Sequence, residues 1–219
     1  MRKITLTVCS ATLILLACNN KTDNSQATTD SLAKTNATER KTDSSVSAIP
    51  DSVAIAKAWN DFKTPGEMHK WMEKTNGTWE ADITTWMDPS APPEKSKGTM
   101  VQSSILGGRY VVGKYAGTVF GQKTEGQFTM GYDNAKKLFV STWIDNQGTG
   151  MVYLSGNYDD KTKTLNLSGY QTDPMTGKDS NIREEMTIID NDSYSLTMFG
   201  NGPNGKEMKF MEGVYKRKK

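Results

Sequence analysis

The chain has 219 residues, 35% of them hydrophobic and 24% charged, with Lys+Arg 27 against Asp+Glu 25. That length suits one domain, and a net charge of +2 supplies no basic stripe to neutralise phosphates, which excludes nucleic-acid binding as the main activity. The only cysteines, Cys9 and Cys18, both lie near the N-terminus, so a disulfide framework is excluded as well.

Residues 1–17 have the form of a secretory signal: Arg2 and Lys3, then an apolar run from Ile4 to Ala17. The run falls short of the roughly 20 residues needed to span a bilayer. Its end, Leu15-Leu16-Ala17-Cys18, resembles the lipobox of bacterial lipoproteins. That resemblance implies that Cys18 is joined to diacylglycerol and becomes the mature N-terminus, anchored in the cell envelope, with the outer membrane as the expected site. Each buried methylene contributes about 0.8 kcal/mol, so the acyl chains hold the protein to a membrane without a spanning helix. Loss of Arg2 and Lys3 with the leader takes the 27 basic residues to 25, equal to the 25 acidic ones.

Residues 18–50 form the lipidated tether. From Asn19 to Pro50 the chain has no aromatic residue and no glycine, and Ser, Thr, Asn, Asp and Lys dominate. Such a stretch buries too little apolar area to offset its ordering entropy. A flexible coil of this length spans roughly 30 Å, from about 5–6 Å times the square root of the residue number.

Residues 51–76 read as a helical lead-in. Asp51 or Ser52 caps a first helix, along which Val53, Ile55, Ala56, Trp59 and Phe62 approximate an apolar stripe. Thr64-Pro65-Gly66-Glu67 predicts a second start, with threonine as N-cap and proline at the first helical position. Met68, Trp71 and Met72 then share one face, and Asn76-Gly77 ends the helix.

From residue 77 to 219 the chain reads as strands rich in Val, Ile, Thr, Tyr and Phe. Turn pairs separate them at Asp133-Asn134, Asp145-Asn146, Asp159-Asp160, Asp173-Pro174, Asp190-Asn191 and Asn204-Gly205. Successive turns start 12 to 17 residues apart, which leaves no room for crossover helices, so the sheet is antiparallel. About ten strands in such a meander predict closure into an up-and-down barrel, because closure removes exposed edges. Alternation places Ile182, Glu184, Met186 and Ile188 on the inner face of one strand and Met208, Phe210, Glu212 and Val214 on that of the last. Between Lys137 and Asp145 both faces carry apolar weight.

The order and spacing of several motifs carry a family resemblance. Gly77-Thr78-Trp79, Trp86 with Pro92-Pro93, Gly98-Thr99, Gly107-Gly108-Arg109-Tyr110, Gly131-Tyr132-Asp133, Trp143-Ile144-Asp145, Asp173-Pro174 with Gly177, and Met211-Glu212 with Tyr215 together resemble the DUF1579 family of bacterial proteins. The resemblance covers about Pro65 to Lys219. It implies an all-β, lipocalin-like barrel with no established reaction, so it carries over no catalytic residue.

The chemistry-bearing residues are few. His69 is the single histidine and falls on the second helix, where a capping or exposed role outweighs that of a haem ligand. With Cys18 lipidated and no histidine in the strands, nucleophilic catalysis and zinc sites lack their residues, and no cofactor is expected. The Asp-rich turns are explained by turn chemistry rather than by calcium. Two carboxyls on the expected inner face, Glu184 and Glu212, suit either acid/base work or a cationic group, unless Arg109 or Arg183 neutralises them. Aromatic residues with polar edges suit a pocket for a flat or amphipathic ligand and equally a filled barrel. Trp86, Arg109, Tyr115, Trp143, Glu184 and Glu212 are thus the candidate ligand-binding residues. A binding module for a lipophilic or aromatic small molecule is the leading expectation. A carboxylate-based hydrolase and a structural or interaction module at the envelope are the alternatives.

Overall fold

Two helices and ten strands make up the computed structural model, which describes residues 51–219; the signal segment, Cys18 and the tether lie outside the described residues. Helix α1 (Ser52–Lys63) starts where Asp51 accepts a hydrogen bond from Ala54 N at 2.7 Å. It ends where the Thr64 hydroxyl donates back to Asn60 O. The expected second start at Thr64 therefore shifts: α2 (Glu67–Glu73) has Gly66 as its N-cap. The Gly66 N–H donates to His69 Nδ1 at 3.0 Å. His69 thus does from the third position what Glu or Gln does in a capping box. Burial lowers its pKa, which favours the neutral ring that this acceptor role requires.

The strands are β1 (Gly77–Thr85), β2 (Glu94–Ile105), β3 (Tyr110–Val119), β4 (Gln122–Asp133), β5 (Leu138–Asp145), β6 (Val152–Asp159), β7 (Thr164–Thr172), β8 (Asp179–Asp190), β9 (Ser193–Asn201) and β10 (Glu207–Arg217). Each pairs antiparallel with its sequence neighbour, and β1 pairs with β10 to close the barrel. The Asp turns are built as the turn chemistry requires: Asp133, Asp159, Asp173 and Asp190 each accept backbone N–H groups two or three residues on.

Inner and outer faces follow alternation until a bulge intervenes. On β5 the inner set is Phe139, Ser141, Trp143 and Asp145, which resolves the strand that read ambiguously. On β8 the inner set includes Ile182, Glu184 and Met186, as expected. On β10 the register with β9 shifts between Lys209 and Met211, so Phe210 is an extra residue. A one-residue insertion reverses every side chain beyond it. Phe210 and Met211 both face inward, followed by Gly213 and Tyr215. Glu212 is consequently turned outward, contrary to the alternation-based expectation, and pairs with Lys209 at 2.6 Å.

One end of the barrel is plugged by α2. Met72 is completely buried. Trp71 meets Phe139 at 5.2 Å and Tyr158 at 4.7 Å between ring centres, and Tyr132 meets Phe139 at 5.0 Å. Arg217 ties the C-terminal end of β10 to the helix, donating to Lys74 O and Asn76 O while stacking over Trp79. Helix α1 differs. Its stripe of Val53, Ile55, Trp59 and Phe62 stays exposed, and none of its residues is buried. Its last turn is held by Asn134 Nδ2, which donates to Asp61 O, Phe62 O and Thr64 O, and by Arg109, which donates to Lys63 O.

Candidate functional site: an acidic, aromatic cavity

The end opposite α2 is not filled. Beneath it lies a cavity of about 370 Å³, bounded by inward side chains of all ten strands, from Val119, Phe120 and Phe210 at the mouth to Gln102, Tyr194 and Tyr215 below. This volume is within the range of small-molecule sites. Most of the lining is apolar, with Met130, Leu154, Met186, Leu196 and Met198 among it. The methionines supply an unbranched, adaptable wall.

Glycines seat the aromatic rings. Gly98 and Gly117 face each other across β2 and β3, and the Tyr115 ring lies against both. A Cβ on Gly98 would come within 2.3 Å of the Tyr115 hydroxyl. Trp143 lies across Gly126 in the same way, where a Cβ would stand 2.2 Å from the indole ring. Tyr115 and Trp143 are 6.5 Å apart between ring centres. The Trp143 N–H donates to Asp145 Oδ2 at 2.7 Å, which fixes the indole and brings a carboxylate to the cavity wall.

Deeper in, Gln102 Nε2 donates to the Tyr194 hydroxyl at 2.8 Å, and the Tyr194 ring stacks on Tyr215 at 4.5 Å. Burial raises the pKa of the Tyr115, Tyr194 and Tyr215 phenols, so all three stay neutral. Glu184, in register with Met198 on β9, is also part of the wall. Its charge is felt by both Tyr194 and Tyr215. Desolvation pushes its carboxyl from 4.5 up to about 7, and its remaining accessible surface borders the cavity. Among the described residues no hydrogen bond or ion pair of its carboxyl occurs, and desolvation is the sole cause of the shift.

The arginines named as neutralisers are committed elsewhere. Arg183 points to the outer face, grips Glu207 through Nε at 3.1 Å and Nη2 at 2.9 Å, also bonds Glu185, and lies over Phe199. Arg109 is at the α2 end. Of the six candidate residues, the fold therefore gathers Tyr115, Trp143 and Glu184 around one cavity. Arg109 and Glu212 are outside it, and so is Trp86, which sits at the end of β1 with Lys209 Nζ 4.5 Å above its ring. Gln102, Asp145, Phe120, Phe128 and Phe210 belong to the wall although they were not among the candidate binding residues. Alternation places Phe210 on the inner face of the last strand, whereas both faces of the strand carrying Asp145 read as apolar.

The mouth has a backbone peculiarity. β3 and β4 are joined by Phe120 and Gly121, both with positive φ, +50° and +69°. This is the left-handed pair that a two-residue hairpin of type I′ demands. Phenylalanine is an unusual occupant of that conformation, and its ring stacks on Phe210 at 6.3 Å.

A closed ten-stranded meander around an internal cavity defines a lipocalin-like small barrel. The chain belongs to the DUF1579 family, described as proteins of unknown function, whose model matches residues 64–217. Comparison with curated proteins finds no match. Among solved structures the chain is similar to Rv2717c from M. tuberculosis, with 13% identity and a TM-score of 0.56, covering 71% of this chain and 100% of that one. It is also similar to the S-type phycobiliprotein lyase CPES from Guillardia theta, with 9% identity and a TM-score of 0.50, covering 78% and 99%. At these identities the likeness is one of fold.

Proposed function

We propose that the protein is a binding module for a small lipophilic or aromatic molecule, held at the cell envelope by acyl chains on Cys18. The observation that carries the reading is the aromatic-lined cavity of about 370 Å³. A barrel whose role was structural would gain stability by filling that space, since protein interiors otherwise pack to crystal-like density. The rings of Tyr115 and Trp143 are seated by glycines, so the wall is pre-formed rather than collapsed. A phycobiliprotein lyase of similar fold supports the view that such barrels engage other molecules. A hydrolase built on Glu184 and Glu212 is not proposed, because the two carboxyls lie on opposite faces of the wall.

Titration of the full chain with a panel of lipophilic and aromatic compounds, read by tryptophan fluorescence and calorimetry, tests binding. Saturable quenching that Trp143→Phe reduces is the expected result, and a folded protein that binds nothing in the panel overturns the reading. For the anchor, Cys18→Ala abolishes incorporation of a labelled fatty acid and releases the protein from the membrane fraction. Persistence of both would overturn the envelope assignment.

A further inference from the structure

Among the described residues the cavity wall carries two carboxyl groups, Glu184 and Asp145, and no lysine, arginine or histidine. On the outer surface several carboxylates have basic partners: Asp82 with Lys97, Glu207 and Glu185 with Arg183, Glu212 with Lys209, Asp192 with Arg217. Inside, neither carboxyl has one. Asp145 has the Trp143 N–H, whereas Glu184 has neither a cation nor a hydrogen-bond donor among the described residues.

We infer that the molecule held in this cavity is an organic cation, an apolar or aromatic ammonium whose charged nitrogen sits against Glu184. The inference rests on the binding reading above and narrows it to one charge class. Three features of the wall converge on it. An unpaired carboxyl in an apolar enclosure is costly to ionise alone, and a cation is the group that relieves that cost. The rings of Tyr115, Trp143 and Tyr215 border the same cavity, and a carboxyl among aromatic rings is the combination by which aromatic cages hold ammonium groups. The same wall opposes fatty acids and other anions, because a second carboxylate would enter beside Glu184 and Asp145 with no basic side chain to receive it. Within reach of Glu184 the other titratable groups are the phenols of Tyr194 and Tyr215, which burial keeps neutral, and Asp145 shares the wall.

The test uses three probes of matched shape, 4-phenylbutylamine, 4-phenylbutanol and 4-phenylbutyric acid, titrated calorimetrically into the full chain at pH 7. The amine is expected to bind about tenfold tighter than the alcohol, with the acid weakest. Glu184→Gln should remove the preference for the amine while leaving the alcohol within about twofold, a comparison that also shows the variant is folded. Because the empty carboxyl is part-protonated at pH 7 and the ammonium favours its ionised form, amine binding should release protons, visible as a heat that depends on the buffer. Equal affinity for amine and alcohol in the wild type, or tightest binding of the acid, overturns the charge assignment and leaves the binding reading standing. Failure of all three probes while compounds of the wider panel bind also overturns it, whereas failure of every compound overturns the binding reading itself.

Discussion

At the α2 end of the barrel, Trp71, Phe139, Tyr132 and Tyr158 interlock with ring centres 4.7–5.2 Å apart. At the other end the facing rings of Phe120 and Phe210 stand 6.3 Å apart over open space. Both ends are built from the same strands and the same residue types. The difference lies in α2, which brings Trp71 and Met72 into one mouth and has no counterpart at the other among the described residues. Packing therefore differs around the barrel: Trp71 and Tyr158 interlock with Phe139 and Tyr132, yet Trp71 and Tyr158 also border a cleft of about 470 Å³ beside α2.

The contrast is sharpest when one ring is deleted. Phe139→Ala at the plugged end should cost about 3–5 kcal/mol in denaturant unfolding, because a fully buried ring leaves a cavity its neighbours cannot fill. The second largest effect belongs to Glu184. A carboxyl raised from 4.5 to about 7 binds its proton more tightly in the folded state. Its stability contribution is thus undiminished below 4.5, falls as the unfolded chain ionises between 4.5 and about 7, and is constant above. The wild type should lose up to about 3 kcal/mol over that window relative to Glu184→Gln, whose profile lacks that decline. A parallel decline in both would mean that Glu184 is hydrated in the folded protein.

Two smaller effects probe what holds the ends apart. Asn134→Ala removes three donations to the last turn of α1 and should cost about 1 kcal/mol, seen as faster amide exchange in α1 with β5 and β7 unaffected. Met198→Phe adds volume at the open end. It should change stability by less than about 1 kcal/mol, since the ring has space to enter, while weakening ligand binding. A loss near that of Phe139→Ala would show the two ends to be equally packed.

Strand number, pairing and closure were legible in the sequence because each depends on local chemistry. The Asp turns are read from a side chain and the N–H groups two or three residues on, and their spacing forbids crossovers. The inner position of Glu184 was legible too, since Ile182 and Met186 flank it without interruption. Glu212 was not, because the extra residue at Phe210 leaves no mark in the alternation that precedes it. The cavity was hidden for another reason. Tyr115 and Trp143 have the same letters whether they interlock or stand apart, and the glycines that seat them, Gly98, Gly117 and Gly126, acquire that meaning only once the strand register is known. The start of α2 was displaced by His69, whose nitrogen makes a cap out of Gly66 that no acidic side chain signals.

The turn at Phe120 bears on any attempt to improve this protein by design. A non-glycine side chain held at φ +50° carries roughly 1 kcal/mol of backbone strain. Standard hairpin chemistry would place Asn there, next to the existing Gly121. Thermostabilisation guided by turn propensity would therefore select Phe120→Asn and record a gain in melting temperature. The same substitution strips the hydrophobic lip from the cavity and detaches it from Phe210. A screen that scores stability alone would thus drift toward barrels that fold better and have lost control over what enters them.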